Sequence, residues 1–261
     1  MTQPMPSEAP AGARIPVTPE ALAGRGYVPP DGHAAFAGVT QVPVVISELA
    51  AAATALPLAF AEEKGGPRLV ALTGLEAGHN LLLGPEGRWL GGYVPAWVRA
   101  HPFALEGEPP RLTVEAVHLA EDGAPLLGGQ GGPGALVRQM DGLLHRLAEE
   151  QAAADRAAVR LSRLGVLAPC PIHLCDAEGE REIAGLRRLD EAALHRLPDA
   201  AFLELRRDGG LALAHAQLFS MRVLPTLLWL HRIHRHGDTP PPAVPAGPDG
   251  FDFADPWPPL A

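Results

Sequence analysis

The side chains able to do chemistry fall into a few groups, and each spacing tests a different reaction. Trp89-x3-Tyr93-x-Pro95-x3-Arg99, with Asn80 shortly before it, gathers two amphipathic rings, a guanidinium and an amide. That set suits a cleft for an acidic or carbonyl ligand, with Arg99 as a bidentate clamp. It suits equally a core filled by the two rings, with Arg99 paired to Glu48 or another carboxylate. Cys170-x2-His173-x-Cys175 has zinc-ligand residue types. On an extended chain, however, Cys170 faces away from His173 and Cys175, and no fourth ligand is evident, so buried structural thiols are expected. His231-x2-His234-x-His236-x-Asp238 closes the last apolar segment. A His-x-Asp pair fits two positions of a 2-His-1-carboxylate iron site, but no histidine follows His236 to complete one. Protonated rings facing a helix C-terminus are the expected role, with His231, His234 and His236 kept as weak metal candidates.

Nucleophilic and acid–base chemistry finds less support. His215 and Ser220 sit five residues apart, about 140° around a helix at 3.6 residues per turn, and so point apart. Glu48 could act as a general base, yet an acid beside Ser47 at a helix start is also explained by the macrodipole. Glu48 and His215 are the weak catalytic candidates. No Gly-x-Ser-x-Gly turn, Walker loop or strand-linked Gly-x-Gly-x-x-Gly occurs.

These residues must be positioned by elements that change character along the chain. Val42–Ile46, Leu69–Leu72, His79–Leu83 and Leu112–Leu119 read as short strands, and Gly84-Pro85-Glu86-Gly87 as a turn. Ser47 can cap a short helix over 48–55 that Pro57 stops, and Pro95 suits the start of another through Ala100. After Gly134, Leu136, Met140, Leu143, Leu144, Leu147, Leu161 and Leu164 recur at helical spacing as far as Gly165. A hairpin is expected from 171–176 and 181–186, then helices near 190–196, 199–207 and 211–235, with Asp190 and Asp199 as caps. Strands early and helices late predict an α+β fold: a short-stranded, largely antiparallel N-terminal β region packed with a C-terminal helical region.

The 261 residues include 29 glycines and 29 prolines, nearly double ordinary usage. An apolar fraction of 47% still rules out a wholly disordered chain. The prolines predict a flexible arm over 1–30 and a Pro-rich acidic-aromatic tail over 237–261, flanking one domain over 31–236. In the tail, Phe251, Phe253 and Trp257 interleave with aspartates and are expected to dock on a protein or peptide partner. A net charge of −9 argues against nucleic-acid and anionic-membrane binding. Lys64 is the sole lysine, and the Arg, Ala, Gly and Pro bias looks like that of a GC-rich bacterial genome. Cys170 and Cys175 would lie roughly 16 Å apart if extended at about 3.3 Å per residue, whereas a disulfide needs less than about 7 Å. Unpaired thiols and an N-terminus without a secretory pattern predict a cytoplasmic location. Gly210–Leu230 approaches a membrane span in composition, but its Arg222 and Pro225 favour a packed helix, so no transmembrane segment is expected.

Two blocks, Val42–Phe103 and Leu189–Leu224, resemble the bacterial SapC family. The first carries Pro43 with Ser47 and Glu48, Pro57 with Phe60, and Gly74-Leu75 with Gly78 and Asn80. It continues with Gly87 and Trp89, then Tyr93, Pro95, Arg99, Pro102 and Phe103. His215, Leu218 and Ser220 carry the match in the second block. His101 stands where the family usually has an aromatic, and His79 where an acid is common. The resemblance implies association with a surface layer, or with gene sets holding halogenase-like proteins, cupin-like oxygenases and outer-membrane receptors. The expected function is a non-catalytic binding or accessory protein with Asn80, Trp89, Tyr93 and Arg99 as its ligand-binding residues. The alternatives are an oxidative or peptide-modifying enzyme, metal-dependent in one version, and an S-layer-associated structural protein. No cofactor is expected, with a non-haem metal held open, and a small-molecule ligand is allowed for.

Overall fold

A 29-residue helix, α3 (Ala135–Arg163), is the axis around which the described residues pack. Residues 12–128, 131–176 and 179–236 are described by the structure, a computed structural model. Before the axial helix come β1 (Arg14–Pro16), β2 (Gly26–Tyr27), β3 (Gln41–Pro43), α1 (Leu49–Ala55), β4 (Leu58–Glu63) and β5 (Gly66–Leu72). The same half continues with α2 (Ala96–Ala100), β6 (Phe103–Glu106), β7 (Arg111–Glu115) and β8 (Leu119–Ala120). After it come β9 (Leu167–Pro169), β10 (Ile172–Asp176), β11 (Gly179–Ile183) and β12 (Leu186–Leu189). The helices α4 (Glu191–His195), α5 (Asp199–Arg207), α6 (Gly210–Ser220) and α7 (Leu224–His236) close the order. The antiparallel strands and late helices are the α+β arrangement expected from the sequence.

One stripe of α3 packs on a different sheet in each half of the helix. Val137, Leu144 and Leu147 pack with Phe103, Leu112 and Val114 on the sheet β1-β7-β6. Ala154, Ala157, Ala158 and Leu161 pack with Phe60, Leu69 and Val70 on the sheet β3-β5-β4-β12-β9. Small alanines in the second half allow the close approach that the larger leucines of the first half do not. On the same large sheet lies α6, whose Leu213 and Ala214 are fully buried. The stretch Gly210–Arg235 has the length and hydropathy of a membrane span by composition. In the fold Leu213, Gln217, Ser220, Leu227 and His231 of that stretch are buried.

Several local expectations change on folding. Residues 14–16 and 26–27, expected within a loose arm, are strands paired to β7 and β8, and Leu22 is buried between them. His79–Leu83 is not a strand. Its backbone donors are used outside any ladder: Asn80 to the Ala37 carbonyl, Leu81 to the Thr73 carbonyl, and Leu82 locally to the Asn80 side chain. Leu112–Leu119 breaks after Glu115 into a 3-10 turn, Ala116–His118. Ser47 does not cap α1; its N–H donates to Glu150. Asp190 caps α4 by accepting from Ala193 at 2.9 Å, whereas Pro198 rather than Asp199 holds the cap position of α5.

Candidate functional site

The first group to place is Glu48, Trp89, Tyr93 and Arg99, and the fold brings all four together. Glu48 ends a 3-10 turn (Ile46–Glu48) and is 4% exposed. One carboxylate oxygen accepts from the Val45 N–H at 3.0 Å. The other accepts from the Ala96 N–H at 2.8 Å, the first residue of α2, and from the Tyr93 hydroxyl at 3.0 Å. Arg99 donates to the Tyr93 hydroxyl and to the Val94 carbonyl, with its guanidinium 5.8 Å from the Tyr93 ring centroid. Trp89 donates to the Tyr93 carbonyl at 2.9 Å and meets the His33 ring edge-on. Burial and the Glu48 charge both raise the Tyr93 pKa, against a smaller opposing pull from Arg99. The donors and acceptors of this group are largely spent on one another.

Asn80 stands apart as a loop clasp. Its Nδ2 donates to the Phe36 carbonyl and its Oδ1 accepts from Leu82. Gly74, in the same loop, has a steric reason: a Cβ there would lie 2.0 Å from the His79 carbonyl oxygen. His215 is exposed, hydrogen-bonds to the Leu211 carbonyl and stacks on Phe219, whereas Ser220 is fully buried against β4. Cys170 is free and buried, and burial pushes its thiol pKa up. His231 is buried and the His234 ring lies 5.4 Å from that of His79. The His236 side chain, together with Phe251, Phe253 and Trp257, lies outside the described residues.

Beside His234, Arg235 and Arg181 both bridge to Glu76 and tie the end of α7 to the 73–79 loop. Burial pushes the Glu76 carboxyl up, but hydrogen bonds and charge from the two guanidiniums bring it net below its ordinary value. A depressed folded-state pKa stabilises the fold above the unfolded carboxylate range, and that contribution is lost as pH falls through the folded value. The urea midpoint of Arg235→Ala should therefore lie below that of the parent at pH 7. The gap should narrow as pH falls below the unfolded carboxylate range and close once the pH has passed the depressed folded-state value of Glu76.

An aromatic-walled cavity lies elsewhere. A pocket of about 240 Å3 opens between β3, α2 and β6, walled by Phe36, Val39, Val42, Trp97 and Phe103. Arg14 and His101 stand at its polar side. Trp97 is held in place by donating to Gln151 of α3, which in turn donates to Asp155, itself clamped by Arg68.

Behind His101 lies a polar group that sequence reasoning missed. His101 follows α2, Glu115 ends β7, and His118 ends the 3-10 turn after it. One potential ligand atom from each lies within 4.8 Å of the others, the one such trio containing histidine, cysteine or acid among the described residues. The Glu115 N–H donates to the Pro102 carbonyl, which draws the end of β7 to the His101–Pro102 corner. Arg14 also donates to that carbonyl and to Glu115 Oε1, and its Nε lies 3.3 Å from Glu106. His101 Nε2 sits 3.3 Å from Glu115 Oε2, yet out of hydrogen-bond alignment, so this buried nitrogen has no hydrogen-bond partner. Burial lowers the His101 pKa against an upward pull from Glu115, with His118 and Arg14 lowering it further. The sequence signal was present only as the histidine at position 101, where the resemblance leads one to expect an aromatic. Its partners are 14 and 17 residues on, at a spacing no short motif describes.

The fold and these sites define an antiparallel α+β protein built on one long helix, with a self-satisfied Glu48–Tyr93–Arg99 cluster and a separate aromatic pocket. The family model described as SapC matches residues 23–227, and the chain belongs to the SapC family. Neither the curated proteins nor the solved structures give a match.

Proposed function

We propose that the chain is a binding protein of the SapC family whose ligand is a small, mainly apolar molecule held in the Phe36–Trp97–Phe103 pocket. The observation that carries this reading is the pocket itself: aromatic walls, a polar side made by Arg14 and His101, and a hydrogen-bond chain fixing Trp97. Ligand sites are mostly apolar concavities of about 300–1,000 Å3 with few polar groups. A volume of about 240 Å3 therefore selects a ligand of one or two rings. Arg14 is already paired to Glu106 and Glu115, so the polar side favours a neutral hydrogen-bonding group over an anion. An accessory role beside an enzyme that modifies such a molecule, in the cytoplasm and through contacts of the 237–261 tail, fits the same reading.

Saturation-transfer NMR with indole and phenylacetate tests it. Indole should receive saturation and phenylacetate should receive less. Ala104→Phe and, independently, Val39→Phe should each fill the pocket and weaken indole binding at least tenfold, about 1.4 kcal/mol. Absence of transfer to either probe, or transfer unchanged in both folded variants, would overturn the pocket reading.

A further inference from the structure

We propose that His101, Glu115 and His118 form a binding site for a divalent first-row transition-metal ion at the polar side of the aromatic pocket. Two imidazoles and one carboxylate are a donor set that such ions favour, leaving further coordination positions open. The three side chains converge from separate elements, with ligand atoms within 4.8 Å of one another. A metal at bonds of about 2.0–2.2 Å would draw them closer together, which rotation of the three side chains has to supply.

Three details favour a ligand over a packing role. First, the His101 side chain is 8% exposed and its Nε2 is buried without a hydrogen-bond partner, although it faces a carboxylate. Leaving a buried polar nitrogen unsatisfied is unfavourable, and a metal would satisfy it. Second, His118 Nδ1 lies 3.2 Å from the Val28 carbonyl. A carbonyl only accepts, so Nδ1 carries the proton and Nε2 is left with its lone pair. The Val28 N–H donates back to the His118 carbonyl at 2.9 Å, which locks the pair. A ring N–H fixed on a backbone carbonyl is the usual outer shell of a metal-bound histidine. Third, the charges balance for a cation. Arg14 offsets one of Glu106 and Glu115, so with neutral imidazoles the cluster retains one negative charge. Arg14 holds Glu115 by Oε1, leaving Oε2 directed at His101.

His101 is shared by the trio and the pocket wall, so the open positions of the ion would face a bound ligand. That last role rests on the pocket reading; metal binding does not, and it is measured without any pocket ligand. Equilibrium dialysis of the full-length protein against Co2+, and separately Zn2+, should show one tightly held equivalent, with Co2+ d–d bands in the visible. Loss of an outer-shell partner alone costs about 10–100-fold in affinity, so His118→Ala and His101→Phe should each lose at least that much. Here His101→Phe retains a ring against Phe36, 5.3 Å from it. Glu115→Gln should weaken Co2+ similarly, whereas His234→Ala on α7 should change nothing. Absence of a stoichiometric equivalent would overturn the proposal. Affinity unchanged in folded His101→Phe and His118→Ala, or lost with His234→Ala instead, would do the same.

Discussion

Glu48→Ala should lower the stability of the fold by about 2–4 kcal/mol, a large share of the 5–15 kcal/mol that a domain typically has. The carboxylate takes the Val45 and Ala96 N–H groups, both on buried residues, and the Tyr93 hydroxyl. Removing it strands two buried backbone donors at about 1–3 kcal/mol each. Relief from burying a charge offsets part of that cost. Glu48→Gln should lose less, because one oxygen remains to accept while the amide NH2 opposes a donor. Tyr93→Phe should cost least, since the half-buried Tyr93 hydroxyl sits beside an exposed Arg99. Urea midpoints of the three variants should fall in that order. Losses below about 0.5 kcal/mol for Glu48→Ala would mean the carboxylate is not a structural bolt, and its candidacy as a base would revive.

The same residue shows where the sequence was readable. The Ser47-Glu48 and Tyr93-x-Pro95-x3-Arg99 patterns signalled a polar group inside apolar surroundings, and the fold does join them. What spacing could not supply was the identity of the partners, because two of the three donors to Glu48 are backbone N–H groups that leave no trace in residue types. Periodicity found α3 and the late helices, whose apolar positions repeat locally. It misread His79–Leu83 as a strand because Leu81 and Leu82 are buried in the core while the backbone donates to the Ala37 and Thr73 carbonyls rather than to a ladder. The pocket and the His101–Glu115–His118 trio were least legible. They arise where β1, β3, α2, β6 and β7 converge, and no element contributes more than three residues. Gly26 illustrates the difficulty: a Cβ there would lie 2.0 Å from the Gly123 carbonyl oxygen. That close approach lets β2 meet β8 and brings Val28 to His118, yet in the sequence it is one glycine among 29.

Gln217→Leu should be as damaging as any change at Glu48, for a reason visible only in the sheet register. Strands β4 and β12 pair at Ala61 with Leu186 and at Phe60 with Arg187. Continued, that register would set Leu58 against Leu189, but the strands part there and α6 fills the gap. Gln217 Oε1 accepts from the Leu189 N–H at 2.8 Å, and its Nε2 donates to the Leu58 carbonyl at 3.2 Å. The side-chain amide thus stands in for the missing backbone pair. Ser220 completes the substitution, accepting from the Leu58 N–H at 2.9 Å and donating to the Gln217 carbonyl. Both side chains are fully buried, so water cannot replace them. Gln217→Leu should cost about 2–4 kcal/mol and Ser220→Ala about 1–3, from orphaned donors and acceptors. Because both act on Leu58, the double variant should lose less than the sum, with a coupling of about 0.5 kcal/mol or more. Amide exchange at Leu189 should accelerate in Gln217→Leu and at Leu58 in Ser220→Ala. Slow exchange at both with unchanged stability would mean that the strands close on each other directly and that the wedge carries no load.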